Sequence, residues 1–280
     1  MQRAYDLALA SAEAKNGPLF SWGPLIHNSQ VVSFLEEKGL KVIYDLNEVG
    51  PGARVVIRSH GASPQIWKEL KSKGAQIIDA TCPFVKKAQN KLSQLEGEGY
   101  QVLLLGDRSH AEVQTLIGYA RSEIKVIQGR SDLDSVDLKK RVGLLSQTTR
   151  READLKEIAG CLLPRVEELK VFNTICEFTI ARSKAALQVA KEVDILFVVG
   201  GKDSANTSRL GDSCREVLRD TYLIEAGEEI DPVWLQGKSK VGITSGASTP
   251  DWVIAEVVAR LKDTMSEGAQ RKTSKVFLTS

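Results

Sequence analysis

What this 280-residue chain lacks narrows its role before any motif is read. No apolar run approaches the roughly 20 residues that span a bilayer. The N-terminus has no long apolar core of a secretory signal, and Asp6 and Glu13 argue against a transit peptide. Neither sign of charge is in large surplus: the net value is +2, with the basic residues spread along the chain. Neither nucleic acid nor a membrane surface is therefore an expected partner. The four cysteines have no short-range pairing, which excludes a small disulfide framework and a C-x-x-C zinc site. There is no G-x-x-x-x-G-K-[ST], and no G-x-G-x-x-G after a strand, so P-loop nucleotide hydrolysis and dinucleotide binding lose support. What remains, 42% hydrophobic and 26% charged, is an ordinary globular composition. The expected compartment is the cytoplasm, with thiols available for chemistry.

The most informative stretch is Gln76-Ile-Ile-Asp-Ala-Thr-Cys82-Pro83-Phe84. Ile77 and Ile78 read as a buried strand, Thr81 as a helix N-cap, and Pro83 as a first-turn residue. Cys82 then sits where a strand hands over to a helix, a place that favours a metal-binding thiolate. Val171-Phe-Asn-Thr-Ile-Cys176-Glu-Phe-Thr repeats the arrangement. Each cysteine stands 28 residues ahead of a polar loop that follows an apolar strand: Cys82 ahead of His110, Cys176 ahead of Ser204. A third copy of that loop, Pro24-Leu-Ile-His27-Asn28-Ser29, would place its cysteine just upstream of Met1. The pattern asks for three cysteines and the chain shows two. Cys161 and Cys214 fall in helical patterns and read as packing residues.

Between these landmarks, short apolar strands alternate with helices. Helices are expected at 2–16, from Asn28 or Ser29 to Gly39, from Ser63 to about 74, and from Cys82 to about 96. Strands are expected at 40–43, 54–58, 101–105, 124–127, 141–145, 194–199, 222–224 and 240–243. The later helices follow His110, start near 150, run from Cys176 to about 191, and cover about 206–219 and 250–262. A second loop recurs in each unit: Ser59-His60-Gly61, Ser146-Gln147-Thr148 and Ser245-Gly246-Ala247-Ser248. The expected fold class is α/β, with three similar units of small, mainly parallel sheets in a pseudo-threefold trefoil. The expected boundaries are 1–81, 82–175 and 176–263, with 264–280 as a polar C-terminal arm in which 276–278 docks as an edge strand.

Ligands of parallel sheets bind beyond the carboxyl ends of the strands, so these loops form the candidate site. All three histidines lie on them. Imidazoles, small hydroxyls, amides and helix N-termini suit phosphate oxygens. Three cysteines from three repeats would suit an iron–sulfur cluster with one iron open to substrate. Glu112, two residues after His110, is a candidate proton donor if burial or an anionic ligand raises its pKa. A mononuclear metal hydrolase using the histidines is a weaker alternative. Thr148 and Ser248 read equally well as plain helix caps.

The residues resemble the 4-hydroxy-3-methylbut-2-enyl diphosphate reductase family. The matching stretches are Ile26-His27-Asn28, Ser59-His60-Gly61, Asp79-Ala-Thr-Cys82-Pro83, His110-Ala-Glu112-Val113, Gln147-Thr148-Thr149, Thr174-Ile-Cys176, Ser204-Ala-Asn206 with Arg209-Leu210, and Gly246-Ala-Ser248-Thr-Pro-Asp251. The resemblance implies a [4Fe–4S] cluster held by Cys82 and Cys176. It implies reductive removal of a hydroxyl from the allylic diphosphate substrate to give isopentenyl and dimethylallyl diphosphates. A ferredoxin or flavodoxin would supply the electrons. His27, His60, His110, Ser204, Ala205, Asn206 and Ser248 would lie at the diphosphate, Thr148 would line the substrate, and Glu112 would relay protons.

The chain departs from the family pattern in three places. The first motif, Gly-Phe-Cys with a following Gly-Val, is absent, and the chain begins at the residues that follow it, Gln2-Arg3-Ala4. Ala205 stands where many members have Ser, and Glu177-Phe178 replaces the usual pair after the last cysteine. The expectation is a truncated start and impaired cluster binding. The alternative is a cluster-free diphosphate-binding or regulatory paralogue.

Overall fold

Short runs rich in Val, Ile and Leu form the strands, and the polar and glycine-rich segments between them turn the chain back across a helix or a loop. The computed structural model describes residues 2–268 and 275–278. In chain order the first elements are α1 (Gln2–Glu13), β1 (Leu19–Trp22), α2 (Ser29–Glu37), β2 (Leu40–Ile43), β3 (Arg54–Ile57), α3 (Pro64–Ser72) and β4 (Gln76–Asp79). The second set is α4 (Pro83–Gly97), β5 (Gln101–Leu105), α5 (Ala111–Tyr119), β6 (Lys125–Ile127), β7 (Arg141–Ser146), α6 (Glu152–Leu162) and β8 (Glu168–Phe172). The third is α7 (Glu177–Ala190), β9 (Ile195–Val199), α8 (Ala205–Arg215), β10 (Thr221–Ile224), β11 (Lys240–Ser245), α9 (Asp251–Gly268) and β12 (Lys275–Leu278).

The twelve strands among the described residues make three four-stranded sheets with one strand order: β2-β1-β3-β4, β6-β5-β7-β8 and β10-β9-β11-β12. Every pairing among them is parallel. Parallel neighbours need crossovers, which is why helices alternate with strands. The α/β class and the threefold repeat of small parallel sheets are thus as the sequence implies.

The chain divides into two compact units. One comprises Met1–Ile26 with Val32–Cys176, the other His27–Val31 with Glu177–Ser280. The first unit holds two sheets. Ile43, Val55, Ile57 and Leu70 are buried together on one of them. Leu92 and Leu95 of α4 and Val113 and Leu116 of α5 cover Val102, Leu104 and Leu145 of the other. In the second unit β9 is buried on both faces, and its side chains alternate between two cores. Ile195, Phe197 and Val199 face Val253, Val257 and Leu261 of α9. Leu196 and Val198 face Ala186, Val189 and Ala190 of α7 with Leu210 and Cys214 of α8. Each such buried aliphatic side chain contributes about 1.5–3 kcal/mol.

Three local readings are corrected. Leu19–Trp22, not expected as a strand, is β1, and it lies between β2 and β3. Ser21 interrupts its apolar run, but the Ser21 hydroxyl donates to the Gly23 carbonyl and so tolerates burial. The N-cap of α4 is Cys82, not Thr81. Pro83 holds the residue before it in extended conformation, so Cys82 is the half-in residue. Helix α9 runs to Gly268, past its expected end at about 262. Strand β12 pairs with β11 at the sheet edge, as expected for 276–278. Residues 269–274 and 279–280 of the expected arm lie outside the described residues.

Candidate active site

In the first unit the two cysteine segments are held in the same way. After β4 the Ala80 amide donates to the Ile57 carbonyl, and the Cys82 amide donates to the Ser59 carbonyl at 2.9 Å. Asp79 turns the chain between them, its Oδ1 accepting from the Thr81 amide at 2.9 Å while Oδ2 pairs with Lys86. Burial alone would raise the Asp79 pKa. The bonds from Lys86 and Thr81 outweigh it and leave the carboxylate below its usual range. Arg3 of α1 adds two donors, Nη1 to the Thr81 carbonyl and Nη2 to the Asp79 carbonyl, at 3.3 and 3.2 Å. After β8, Thr174 Oγ1 accepts from the Ser146 amide at 2.9 Å and donates to the Ser146 carbonyl at 2.5 Å. The Cys176 amide then donates to the Thr148 carbonyl at 2.9 Å. Both cysteines are half-buried, so each thiol is positioned yet reachable.

The polar loops of the same unit surround a carboxylate. Glu112, in the first turn of α5, is 1% exposed. Its Oε1 accepts from the Thr148 amide and its Oε2 is bonded to the Thr148 hydroxyl, both at 2.7 Å. Thr148 is therefore not a helix cap; its side chain is committed to Glu112. His110 is the N-cap of α5, and its Nδ1 accepts from the Glu112 amide at 3.1 Å. The buried ring of His60 meets that of His110 edge to face, with centroids 5.1 Å apart. Gly61, at φ +78°, lets the chain turn after His60, and a Cβ there would press on Thr115, Gln89 and Thr81 at 3.2–3.3 Å.

Gln147, quoted in a motif but not expected as a site residue, organises these loops. It is fully buried. Its Oε1 accepts from the Asp107 amide at 3.0 Å, and its Nε2 donates to Thr149 Oγ1 at 2.9 Å. One side chain thus fixes both the loop leading to His110 and the loop carrying Thr148. No local signal marks it: an amide at a strand end bridges two loops, since it both donates and accepts, only once those loops have been brought together.

In the second unit the remaining candidates share a backbone platform. Asn28 Oδ1 accepts from the Val31 amide at 3.1 Å and starts α2. The Ser248 hydroxyl reaches the His27 carbonyl at 3.4 Å. Gly201 packs so closely on His27 that a Cβ would lie 2.6 Å from the carbonyl oxygen. Ser204 is the N-cap of α8, its Oγ accepting from the Thr207 amide at 3.3 Å, and Ala205 and Asn206 form the first turn. Thr207 fills the space over Gly246, where a Cβ would come within 2.1 Å of Oγ1. Arg182 of α7 donates from Nη1 to the Ser245 carbonyl and hydroxyl, both at 3.1 Å. Burial pulls its guanidinium pKa below the usual value.

The structure thus groups Cys82, Cys176, His60, His110, Glu112 and Thr148 in one unit, and His27, Ser204, Ala205, Asn206 and Ser248 in the other. A family model described as LytB protein matches residues 1–262. The chain belongs to the LytB family. The family's curated members include 4-hydroxy-3-methylbut-2-enyl diphosphate reductases from Geobacter metallireducens, 41% identical over 263 residues, and from Geobacter sulfurreducens, 42% identical over 263 residues. Each match covers 94% of this chain and 93% of the relative. Among solved LytB-type structures, that of (E)-4-hydroxy-3-methyl-but-2-enyl diphosphate reductase, the terminal enzyme of the non-mevalonate pathway, is 40% identical. It superposes with a TM-score of 0.72 and covers 94% of each chain. The corresponding reductase from Plasmodium falciparum is 26% identical with a TM-score of 0.89, over 100% of this chain and 88% of its own. No described helix of this LytB chain is long and apolar enough to cross a membrane.

Proposed function

We propose that this LytB-family chain is a reductase that removes the hydroxyl of 4-hydroxy-3-methylbut-2-enyl diphosphate, giving isopentenyl and dimethylallyl diphosphates. The allylic C–O bond breaks, two electrons and two protons enter, and water leaves. The observation that carries the reading is the Glu112–Thr148 pair. A protonated Glu112 donates to Thr148 Oγ1, and Thr148 passes its own hydroxyl proton to the departing oxygen of the substrate. Glu112 ends as a carboxylate accepting two bonds from Thr148, a satisfied buried state that takes up a proton before the next turnover.

By the likeness to the reductases, the diphosphate is assigned to His27, His60, His110, Ser204, Asn206 and Ser248. Ala205 contributes its backbone amide, one of the uncommitted N–H groups of the first turn of α8. Cys82 and Cys176 would hold a [4Fe–4S] cluster, which when bound supplies the electrons. The donor chemistry fits: both are half-buried thiols on tied loops, whereas Cys214 is buried with its thiol pushed up to about 11 by desolvation. A ferredoxin or flavodoxin is the expected donor. The cytoplasm is the expected compartment, in keeping with four free cysteines.

The test is anaerobic reconstitution with iron and sulfide, metal and sulfide analysis, and assay of the substrate with a chemical reductant. Expected are bound iron and sulfide and both isopentenyl products, lost on Glu112→Gln. A second reading is a diphosphate-binding protein without redox chemistry. Tight diphosphate binding with no sulfide retained after reconstitution would select that reading and overturn the first.

A further inference from the structure

His110 makes a bond that dictates its proton inventory. The amide of Glu112 can only donate, and it is directed at Nδ1 of His110 at 3.1 Å. Nδ1 must then offer a lone pair, because a protonated Nδ1 would set one N–H against another at the electropositive start of a helix. An imidazole with a bare Nδ1 is neutral and carries its single proton on Nε2. The backbone of His110 is extended, with φ −69° and ψ 137°, as an N-cap requires, so this bond is part of how α5 begins.

The geometry points to His110 as a positioning residue held in one tautomer, a neutral Nε2–H donor whose other nitrogen fixes the first turn of α5 and with it Glu112. The role at the ligand rests on the reading above that His110 binds the diphosphate. On that reading the ligand atom facing His110 is an acceptor, a phosphate oxygen with no proton of its own at this contact. The two functions are separable because they use different nitrogens. Nδ1 sets the placement of Glu112, and through it the bonds to the Thr148 amide and hydroxyl at 2.7 Å. Nε2 serves the ligand.

Two measurements test this. The chain has three histidines, so nitrogen-15 labelling of histidine in the full chain gives three ring spin systems, with His110 assigned by its loss in His110→Asn. At pH 7.5 the expected His110 pattern is a pyridine-type nitrogen at Nδ1 and a pyrrole-type nitrogen at Nε2. The reverse pattern, or two pyrrole-type nitrogens, overturns the tautomer and leaves the proposed reaction standing. The second measurement compares variants of the reconstituted protein. His110→Asn keeps an acceptor that can cap α5 but has no Nε2 donor; His110→Ala has neither. Expected for His110→Asn is a KM raised about 10-fold with a smaller fall in kcat. Expected for His110→Ala is a similar KM and a further fall in kcat of about 10-fold, as Glu112 loses its anchor. An unchanged KM in His110→Asn, with the tautomer as expected, overturns the donor role and the diphosphate assignment of His110 together. Equal kcat in the two variants overturns the positioning role.

Discussion

Glu112 and Thr148, 36 residues apart in sequence, are joined by two hydrogen bonds of 2.7 Å, one to the amide and one to the hydroxyl. The carboxylate therefore has no freedom to choose another partner on Thr148. Glu112→Gln keeps an acceptor for the amide and offers an NH2 donor to the hydroxyl, so the fold and substrate binding should survive. The proton is lost, and turnover should fall about 10²–10⁴-fold, the range of general acid catalysis. Thr148→Val keeps the amide bond but removes the buried hydroxyl bond to Glu112 Oε2, which should cost about 1–3 kcal/mol of stability as well as rate. Steady-state kinetics with urea unfolding of both variants checks this. Full turnover in Glu112→Gln would remove Glu112 from the reaction.

This pairing also shows where sequence reasoning stops. The repeat spacing placed Cys82 and Cys176 at strand-to-helix junctions, because a local pattern of apolar run, Thr, Cys and helix is enough to define such a junction. It marked Glu112 and Thr148 as candidates separately, since nothing local says that loops from two strands meet. Gln147 was invisible as a site residue for the same reason: its bonds to Asp107 and Thr149 exist only after β5 and β7 pair. Strand β1 was missed because Ser21 breaks its apolar run, and the bond that makes Ser21 burial tolerable cannot be seen without the turn at Gly23. Arg3 reads as a surface residue of α1, yet it donates to two carbonyls of the Cys82 approach.

Gln147→Leu tests whether one buried amide holds two loops. Leu has nearly the same volume, so cavity formation is not at issue. The Asp107 amide loses its acceptor and Thr149 Oγ1 loses a donor. The expected loss is about 1–3 kcal/mol in stability. Amide hydrogen exchange should speed up at 107–110 and 148–149 and not in β9–β11. Uniform acceleration through the chain would mean a global loss of stability instead of the loosening of two loops.

Arg182 places the end of β11 by donating to both oxygens of Ser245, three residues before Ser248. Its guanidinium is partly desolvated, which is unfavourable unless the bonds it makes hold the loop in a useful position. Arg182→Met keeps the aliphatic stem and removes the donors. The expected result is a KM increase of about 5–20-fold with melting temperature lowered by several degrees, as for the loss of two charge-assisted bonds to neutral acceptors. An unaltered KM would show that Ser248 keeps its place without Arg182.

Cys214 provides a prediction that involves no ligand. It is buried in the core between α8 and β9, and desolvation pushes its thiol from a reference of 9.0 to about 11, against a smaller opposing effect of Arg215. The folded state thus holds this proton through a pH range in which the unfolded chain has lost it. Below about pH 9 both states are protonated and the group confers no pH dependence. Between pH 9 and 11 the native state binds more protons than the unfolded one, so stability falls as pH rises, by about 1–3 kcal/mol across the window. In Cys214→Ala that slope should be absent, although the variant starts lower because the buried sulfur atom and its packing are lost. Iodoacetamide at pH 8 should modify Cys82 and Cys176, which are half-buried, well before Cys214. Urea unfolding at pH 8, 9.5 and 10.5, with mass mapping of the alkylated peptides, measures both effects. Equal slopes in the wild type and Cys214→Ala, or early alkylation of Cys214, would show that the α8–β9 core opens more readily than its packing implies.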